Sequence, residues 1–261
     1  MKILCVGDVC GSIGCNALRQ LLPKIKAEYG VDFVIVNGEN SADGNGLTTQ
    51  SAAHIFTSGA NVITGGNHSF RRKEELLVYE QNDLILRPHN IPEQTMGSGL
   101  AVVDCGRVSV AVINLSGIIY LDALKASSPF DAADELIQKA KNSGANIIVV
   151  DFHAEATSEK RALGLYLDGK VSAVFGTHTH IQTADEQILP LGTGYITDVG
   201  MTGPENSILG VKSEIIISRL KDKTCEKFVL ADGKCALNGV VFTVDEKSGK
   251  TVQVERVLAK E

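Results

Sequence analysis

The chain has 261 residues, 44% of them hydrophobic, with a net charge of −6 and an isoelectric point near 5.6. That is enough apolar material for a sizeable core in a single α/β unit over residues 1–261, and the acidic balance excludes a nucleic-acid binder that works through a broad basic surface. No apolar run nears the roughly 20 residues that span a bilayer, Asp8 ends the first apolar run too early for a signal peptide, and six cysteines without a CxxC pair read as free thiols of a cytoplasmic protein.

In chain order, Lys2–Gly7 reads as a buried strand, followed by a two-glycine loop. A helix over Asn16–Glu28 follows, with Leu18, Leu21, Leu22 and Ile25 on its apolar face and Pro23 as an expected kink. Phe33–Val36 is a second strand, Thr48 caps a helix to about Ser58, and Asn61–Thr64 is a third strand. A charged helix is expected over Arg71–Glu80 and a short strand over Leu84–Leu86. Leu100–Val103 and Val108–Ile113 flank a Cys-Gly-Arg turn and read as an antiparallel hairpin. Helices over Asp131–Asn142 and Ser158–Leu167 precede strands over Asn146–Val150 and Val171–Phe175. The glycine-rich run 191–204 reads as loop, with GTGY at 192–195 a turn lacking the lysine of a phosphate loop. A helix over Lys212–Lys221 leads to a terminal hairpin of Gly239–Val244 and Thr251–Leu258. That hairpin is free to pack on the main sheet or against a second subunit, so a homo-oligomer is one expected outcome. The pattern predicts an α/β fold, a layered β-sandwich flanked by helices.

Five of these strands end in polar residues. The first stops at Asp8, the second at Asn37-Gly38-Glu39-Asn40, and the third at Gly65-Gly66-Asn67-His68. The run NIIVV stops at Asp151-Phe152-His153, and VSAVF at Gly176-Thr177-His178-Thr179-His180. Ligands of α/β sheets bind beyond the carboxyl ends of the strands. The adjacent glycines, Gly7, Gly38, Gly65, Gly66 and Gly176, are expected to let the backbone turn sharply and approach a ligand. In extended backbone His178 and His180 would face the same way. Asp8, Glu39, Asn40, Asn67, His68, His153, His178 and His180 together form a mixed oxygen and nitrogen donor set. Such a set suits Fe, Mn, Zn or Co better than Ca or Mg. Seven donors and a spare histidine are too many for one ion but about right for two ions roughly 3.5–4 Å apart. Two divalent ions against two carboxylates would leave a positive centre suited to a phosphate ester.

The series GDV (7–9), NGEN (37–40), GGNH (65–68), DFHAEATSEK (151–160), GTHTH (176–180) and ITDVGMTGP (196–204) resembles the calcineurin-like metallophosphoesterases, and within them the YmdB branch, described as 2′,3′-cyclic-nucleotide 2′-phosphodiesterases. The resemblance runs along essentially the whole chain. It implies that Asp8 and His180 bind one metal, that Glu39 bridges both, and that Asn40, Asn67, His153 and His178 bind the second. It further implies that His68 is the general acid, acting with metal-activated water on a small nucleotide phosphodiester, and that iron is the favoured ion, with manganese or zinc as alternatives. The sequence departs from the superfamily's Asp-x-His opening, with Cys10 in the histidine's place, and Ser69 follows the Asn-His pair where an acid is usual. Asp43 is the expected partner that orients His68.

Outside that set, His54 and His89 read as structural or surface residues, and Glu155 as a ligand competing with His153. Asp151 reads as a hydrogen-bond partner of an imidazole. Arg71 and Arg72 read as the solvated start of a helix, and the DGNG loop (43–46) as part of the substrate entrance. Two other functions fit the same residues: a phosphomonoesterase or nuclease acting on RNA ends at the same metal centre, and a non-catalytic nucleotide-binding regulator.

Overall fold

The computed structural model describes residues 1–92 and 96–261. Period-two alternation sorts the first strand's side chains into two layers. In β1 (Lys2–Val6), Ile3 and Cys5 face the opposite sheet, whereas Leu4 and Val6 pack with helix residues on the outer side. β2 (Asp8–Val9) leads into α1 (Gly11–Tyr29), which lays Leu18, Leu21, Leu22 and Ile25 on that outer side. β3 (Phe33–Asn37) precedes α2 (Thr49–Ser58), whose Thr48 cap and Ser51 bond reciprocally. Next come β4 (Val62–Thr64), α3 (Val78–Gln81), β5 (Leu100–Asp104), β6 (Ser109–Ser116) and α4 (Pro129–Asn142). The chain continues through β7 (Ile147–His153), α5 (Thr157–Tyr166), β8 (Ala173–Thr177), β9 (Gln187–Ile188), β10 (Gly194–Ile196) and β11 (Met201–Pro204). It ends with α6 (Ser213–Asp222), β12 (Cys235–Val244) and β13 (Thr251–Lys260).

One sheet has the order β2-β11-β12-β1-β3-β4 with β13 on β12, and the other has the order β5-β6-β7-β8-β10-β9. Phe33, Ile35 and Phe242 of the first meet Val110, Val149 and Phe175 of the second in the central layer. Ile113, Ile148 and Val150 carry α4 and α5 on the far side through Ala133, Leu136 and Leu163. The result is the expected α/β layered sandwich between helices. Among the described residues no helix is long and apolar enough to cross a membrane, and all six cysteines are free.

Several elements differ from the sequence reading. α1 starts five residues early and continues through Pro23, because eight buried residues hold it on the sheet. Arg71–Glu80 is not one helix: a 3₁₀ turn at Lys73–Glu75 precedes α3, where only Val78 and Tyr79 are buried, so no continuous apolar face exists to fold on. Leu84–Leu86 is not a strand but makes isolated bridges, Ile63 to Ile85 and Leu86 to Ser98. The glycine-rich run holds two strands, β10 and β11. Within GTGY, Gly194 and Tyr195 lie in β10, paired with Ala173 and Val174 of β8, and a Cβ at Gly194 would stand 2.6 Å from the Phe242 ring. The terminal hairpin joins the main sheet, where β12 pairs with β1, β11 and β13.

Candidate metal centre

β1, β3 and β4 run parallel in one sheet, and β6, β7 and β8 in the other. Their carboxyl ends meet at one edge of the sandwich, where Asn37 of one sheet donates to Asp151 of the other at 3.0 Å. Asp8, Glu39, Asn40 and His153 are at most 3% exposed there.

His153 stands at the middle of the group. Its Nε2 lies 2.8 Å from Asn67 Oδ1, 3.1 Å from Glu39 Oε1 and 3.1 Å from His178 Nδ1. Glu39, His153 and His178 each offer a ligand atom within 4.8 Å of the others. Asn40 Nδ2 donates to Glu39 Oε1 and to His180 Nε2, both at 3.2 Å. His180 Nδ1 donates to the Leu209 carbonyl at 3.2 Å, so that in the neutral ring the Nε2 lone pair is the one directed inward. His68 donates its backbone N–H to Glu39 Oε2 at 2.9 Å, and its Nδ1 lies 2.8 Å from Asn40 Oδ1.

The electrostatics fit a cation. Asp8 Oδ1 is buried without a hydrogen-bond partner, with His180 Nε2 at 3.8 Å and His153 Nδ1 at 3.9 Å, an arrangement that costs free energy unless positive charge sits nearby. Burial raises the Asp8 carboxyl despite the two histidines. Burial also opposes ionisation of Glu39, but His153 and His68 outweigh it and hold the carboxyl below its ordinary value. His180 is pushed up to about 10: burial opposes its charge, yet Cys10, Asp8 and Glu39 overcome that cost. His153 rises in the same way, through Glu39 and Asp8. Buried carboxylates thus draw protons onto imidazoles, and divalent ions would compete for the same positions. Burial and His153 push His178 down to about 3, which keeps its ring neutral and available as a donor. Gly66 completes the close packing, since a Cβ there would stand 2.3 Å from Glu39 Oε2 and 2.4 Å from His153 Nε2.

The structure brings Asp8, Glu39, Asn40, Asn67, His68, His153, His178 and His180 into this one cluster. It also corrects several expectations. β8 ends at Thr177, and His178 (φ 100°) and His180 (φ 63°) have left-handed backbone, so a strained turn and not strand alternation aims both rings inward. Of the five glycines, only Gly66 abuts the donors; a Cβ on Gly7 or Gly176 would strike the carbonyls of Gly200 or Thr197, so those two admit neighbouring backbone. Asn40, and not Asp43, orients His68; Asp43 pairs with Arg72 at 3.4 Å. Glu155 pairs with His178 Nε2 at 3.0 Å and not with His153. Asp151 does not touch an imidazole directly: it accepts from Thr177 Oγ1 at 2.7 Å, and Thr177 Oγ1 lies 2.9 Å from His153 Nδ1. Cys10 Sγ lies 3.8 Å from His180 Nδ1 and 3.6 Å from the Asp8 carbonyl, on the outer side of the ring from Asp8 Oδ1.

The sequence reading missed the pair that holds the histidine loop. Lys160 donates to Asp198 at 2.6 Å, both 1% exposed, and Asp198 accepts from Thr179 N at 3.1 Å and Thr179 Oγ1 at 2.8 Å. A lysine so deeply buried needs a carboxylate, but nothing in local spacing links positions 160 and 198.

A cleft of about 360 Å³ opens over the cluster, lined by Glu39, Asn40, His68, His178 and His180 on one side and by Leu209, Val211, Ile216 and Phe228 on the other. An adjoining cleft shares His68, Gly44, Val211 and Phe228 and adds Arg71, which is exposed beside the site, whereas Arg72 folds back on the Ala42 and Asn45 carbonyls.

The 2′,3′-cyclic-nucleotide 2′-phosphodiesterase of Bacillus subtilis (strain 168) is 48% identical over 258 residues, which cover 99% of this chain and 97% of that protein. The crystal structure of a phosphatase from Mycoplasma pneumoniae matches with a TM-score of 0.94 at 36% identity, covering 100% of this chain and 93% of that one. The NAD nucleotidase of Haemophilus influenzae, with a TM-score of 0.58 at 15% identity over 99% of this chain and 55% of that one, shares the fold alone. The profile of YmdB-like proteins matches residues 4–257, and the chain belongs to that family.

Proposed function

We propose that the chain is a dinuclear-metal-dependent phosphodiesterase that hydrolyses small cyclic phosphodiesters, with 2′,3′-cyclic nucleotides as substrates. The observation that carries this reading is the buried, unpartnered Asp8 Oδ1 amid converging histidines and Glu39. The Bacillus subtilis relative's activity supports the substrate class, and the six free cysteines accord with a reducing cytoplasm. Asp8 and His180 would hold one ion, Asn40, Asn67, His153 and His178 the second, and Glu39 both. Iron-, manganese- or zinc-type ions suit such mixed donors, and when bound they would supply Lewis acidity to water and to the phosphoryl oxygens.

The chain's own residues do the rest. Asn40 occupies His68 Nδ1, so Nε2 is the nitrogen left to carry a proton into the cleft. Water oxygen bonds to phosphorus and releases one proton to solvent, the P–O2′ bond breaks with its electron pair passing to the 2′-oxygen, and that oxygen takes the His68 proton, giving a nucleoside 3′-phosphate. His68 is then reprotonated from solvent. Burial lowers the His68 pKa, although Glu39 opposes the shift, and this favours release of the proton.

The test is incubation of the metal-loaded protein with 2′,3′-cyclic AMP and identification of the product by phosphorus NMR. Adenosine 3′-phosphate is expected. No turnover with Fe²⁺, Mn²⁺ or Zn²⁺, or faster release of inorganic phosphate from a monoester, would refute the reading.

A further inference from the structure

Residues 208–231 form a flap over the metal centre. Val211 bridges both Ile208 and Leu230, Lys212 N donates to the Val229 carbonyl at 2.9 Å, and Ala231 N donates to the Gly210 carbonyl at 2.9 Å. α6 closes the loop between these arms and buries only Ile215. Two contacts pin the flap to the site. The Leu209 carbonyl accepts from His180 Nδ1, and the Leu230 side chain fills the space where Gly11 and Gly44 lack a Cβ, with hypothetical Cβ distances of 2.3 and 2.9 Å.

Phe228 stands at the end of this flap. It is 58% exposed and lines both clefts with His68, Gly44 and Val211. The Arg219 guanidinium lies over its ring at 4.5 Å from the centroid, which steadies the side chain without burying it. An exposed, braced aromatic ring across a cleft from a general acid is a stacking surface for a planar group. Leu209, Val211 and Ile216 extend it as an apolar wall. A cyclic phosphate held at the polar wall would leave its nucleobase to the wall opposite.

We infer that Phe228 is the nucleobase platform of this site and sets its preference for base-bearing phosphodiesters. The inference rests on the phosphodiesterase reading above. Stacking against an aromatic ring tolerates every base, so the platform selects nucleotides over plain sugar phosphates without choosing among bases.

The test is calorimetric titration of adenosine 3′-phosphate and of baseless ribose 3-phosphate into the wild-type chain, F228A and F228W. F228A is expected to lose about 10- to 100-fold in affinity for the nucleotide, while ribose phosphate stays near its wild-type value. F228W is expected to restore nucleotide binding. An equal loss for both ligands, or no loss for either, would overturn the inference. So would a change in sedimenting mass of F228A with nucleotide affinity retained, which would place Phe228 between two copies of the chain. Turnover of 2′,3′-cyclic AMP measured in parallel separates the two readings. A base-dependent binding loss without turnover in the wild type keeps the platform and removes the phosphodiesterase; turnover without that binding loss does the reverse.

Discussion

On one wall of the cleft, Asp8, Glu39, Asn40 and His153 are at most 3% exposed and stand on strand ends joined across two sheets. On the other, Leu209, Phe228 and Val229 are 44–58% exposed, and α6 buries a single residue. The buried wall holds polar atoms in fixed positions, where a small displacement changes charge and coordination together. The exposed wall makes few polar bonds and offers area and an aromatic face. Under the proposed function, that contrast would divide the work, with chemistry at the strand ends and recognition at the flap.

The sharpest way to break that division is to alter the buried wall by one group. His68→Ala is expected to lower kcat by about 10²–10⁴-fold with metal content kept, measured by turnover and elemental analysis of the same sample. Wild-type turnover in H68A would remove His68 from the acid role. Gly66→Ala inserts a methyl group between Glu39 and His153. It is expected to cost about 100-fold in turnover and to lower metal content, which H68A does not. A G66A protein with wild-type metal and rate would mean that the donors do not need their close approach.

Lys160→Met probes the support behind the wall. It leaves Asp198 buried without its cation, so a stability loss of about 3–5 kcal/mol is expected. The freed Thr179 turn should lower metal affinity by about 10- to 100-fold, read by competition with a chelator. Destabilisation with unchanged metal affinity would show that the pair does not place His178 and His180.

The smallest effect is expected at Asp185, beyond the site. Burial would raise its carboxyl, but hydrogen bonds from Thr197 and Thr183 outweigh this and hold it below the ordinary value. A lowered folded pKa gives stability that is present above the unfolded value of about 4 and lost as pH falls through the folded one. D185N should therefore lower the thermal midpoint by about 2–4 °C at pH 7, and the gap should close as pH falls through the folded pKa. A gap that persists at low pH would assign the effect to packing.

Much of the cluster was legible because strand ends announce themselves: an apolar run that stops at Asp8, Glu39, Asn67, His153 or His178 reports both the strand and its polar terminus. What escaped has physical causes. The backbone at His178 and His180 is left-handed, which no side-chain pattern encodes. β10 and β11 hid in a glycine-rich run because their glycines make room for Phe242 and other neighbours across the sandwich. The Lys160–Asp198 pair joins residues 38 apart through tertiary structure, and Arg71–Glu80 carries helix-forming residues but no face to bury. The flap is written in scattered exposed apolar residues, Leu209, Phe228 and Val229, which resemble ordinary surface until the fold sets them in the clefts that His68 lines.

Metal content per chain, read by plasma mass spectrometry on protein purified without added metal or chelator, tests the buried wall most directly. About two equivalents of iron, manganese or zinc are expected. No metal as purified, and none taken up on reconstitution, would contradict the assignment of Asp8, Glu39 and the histidines as ligands and with it the proposed hydrolysis.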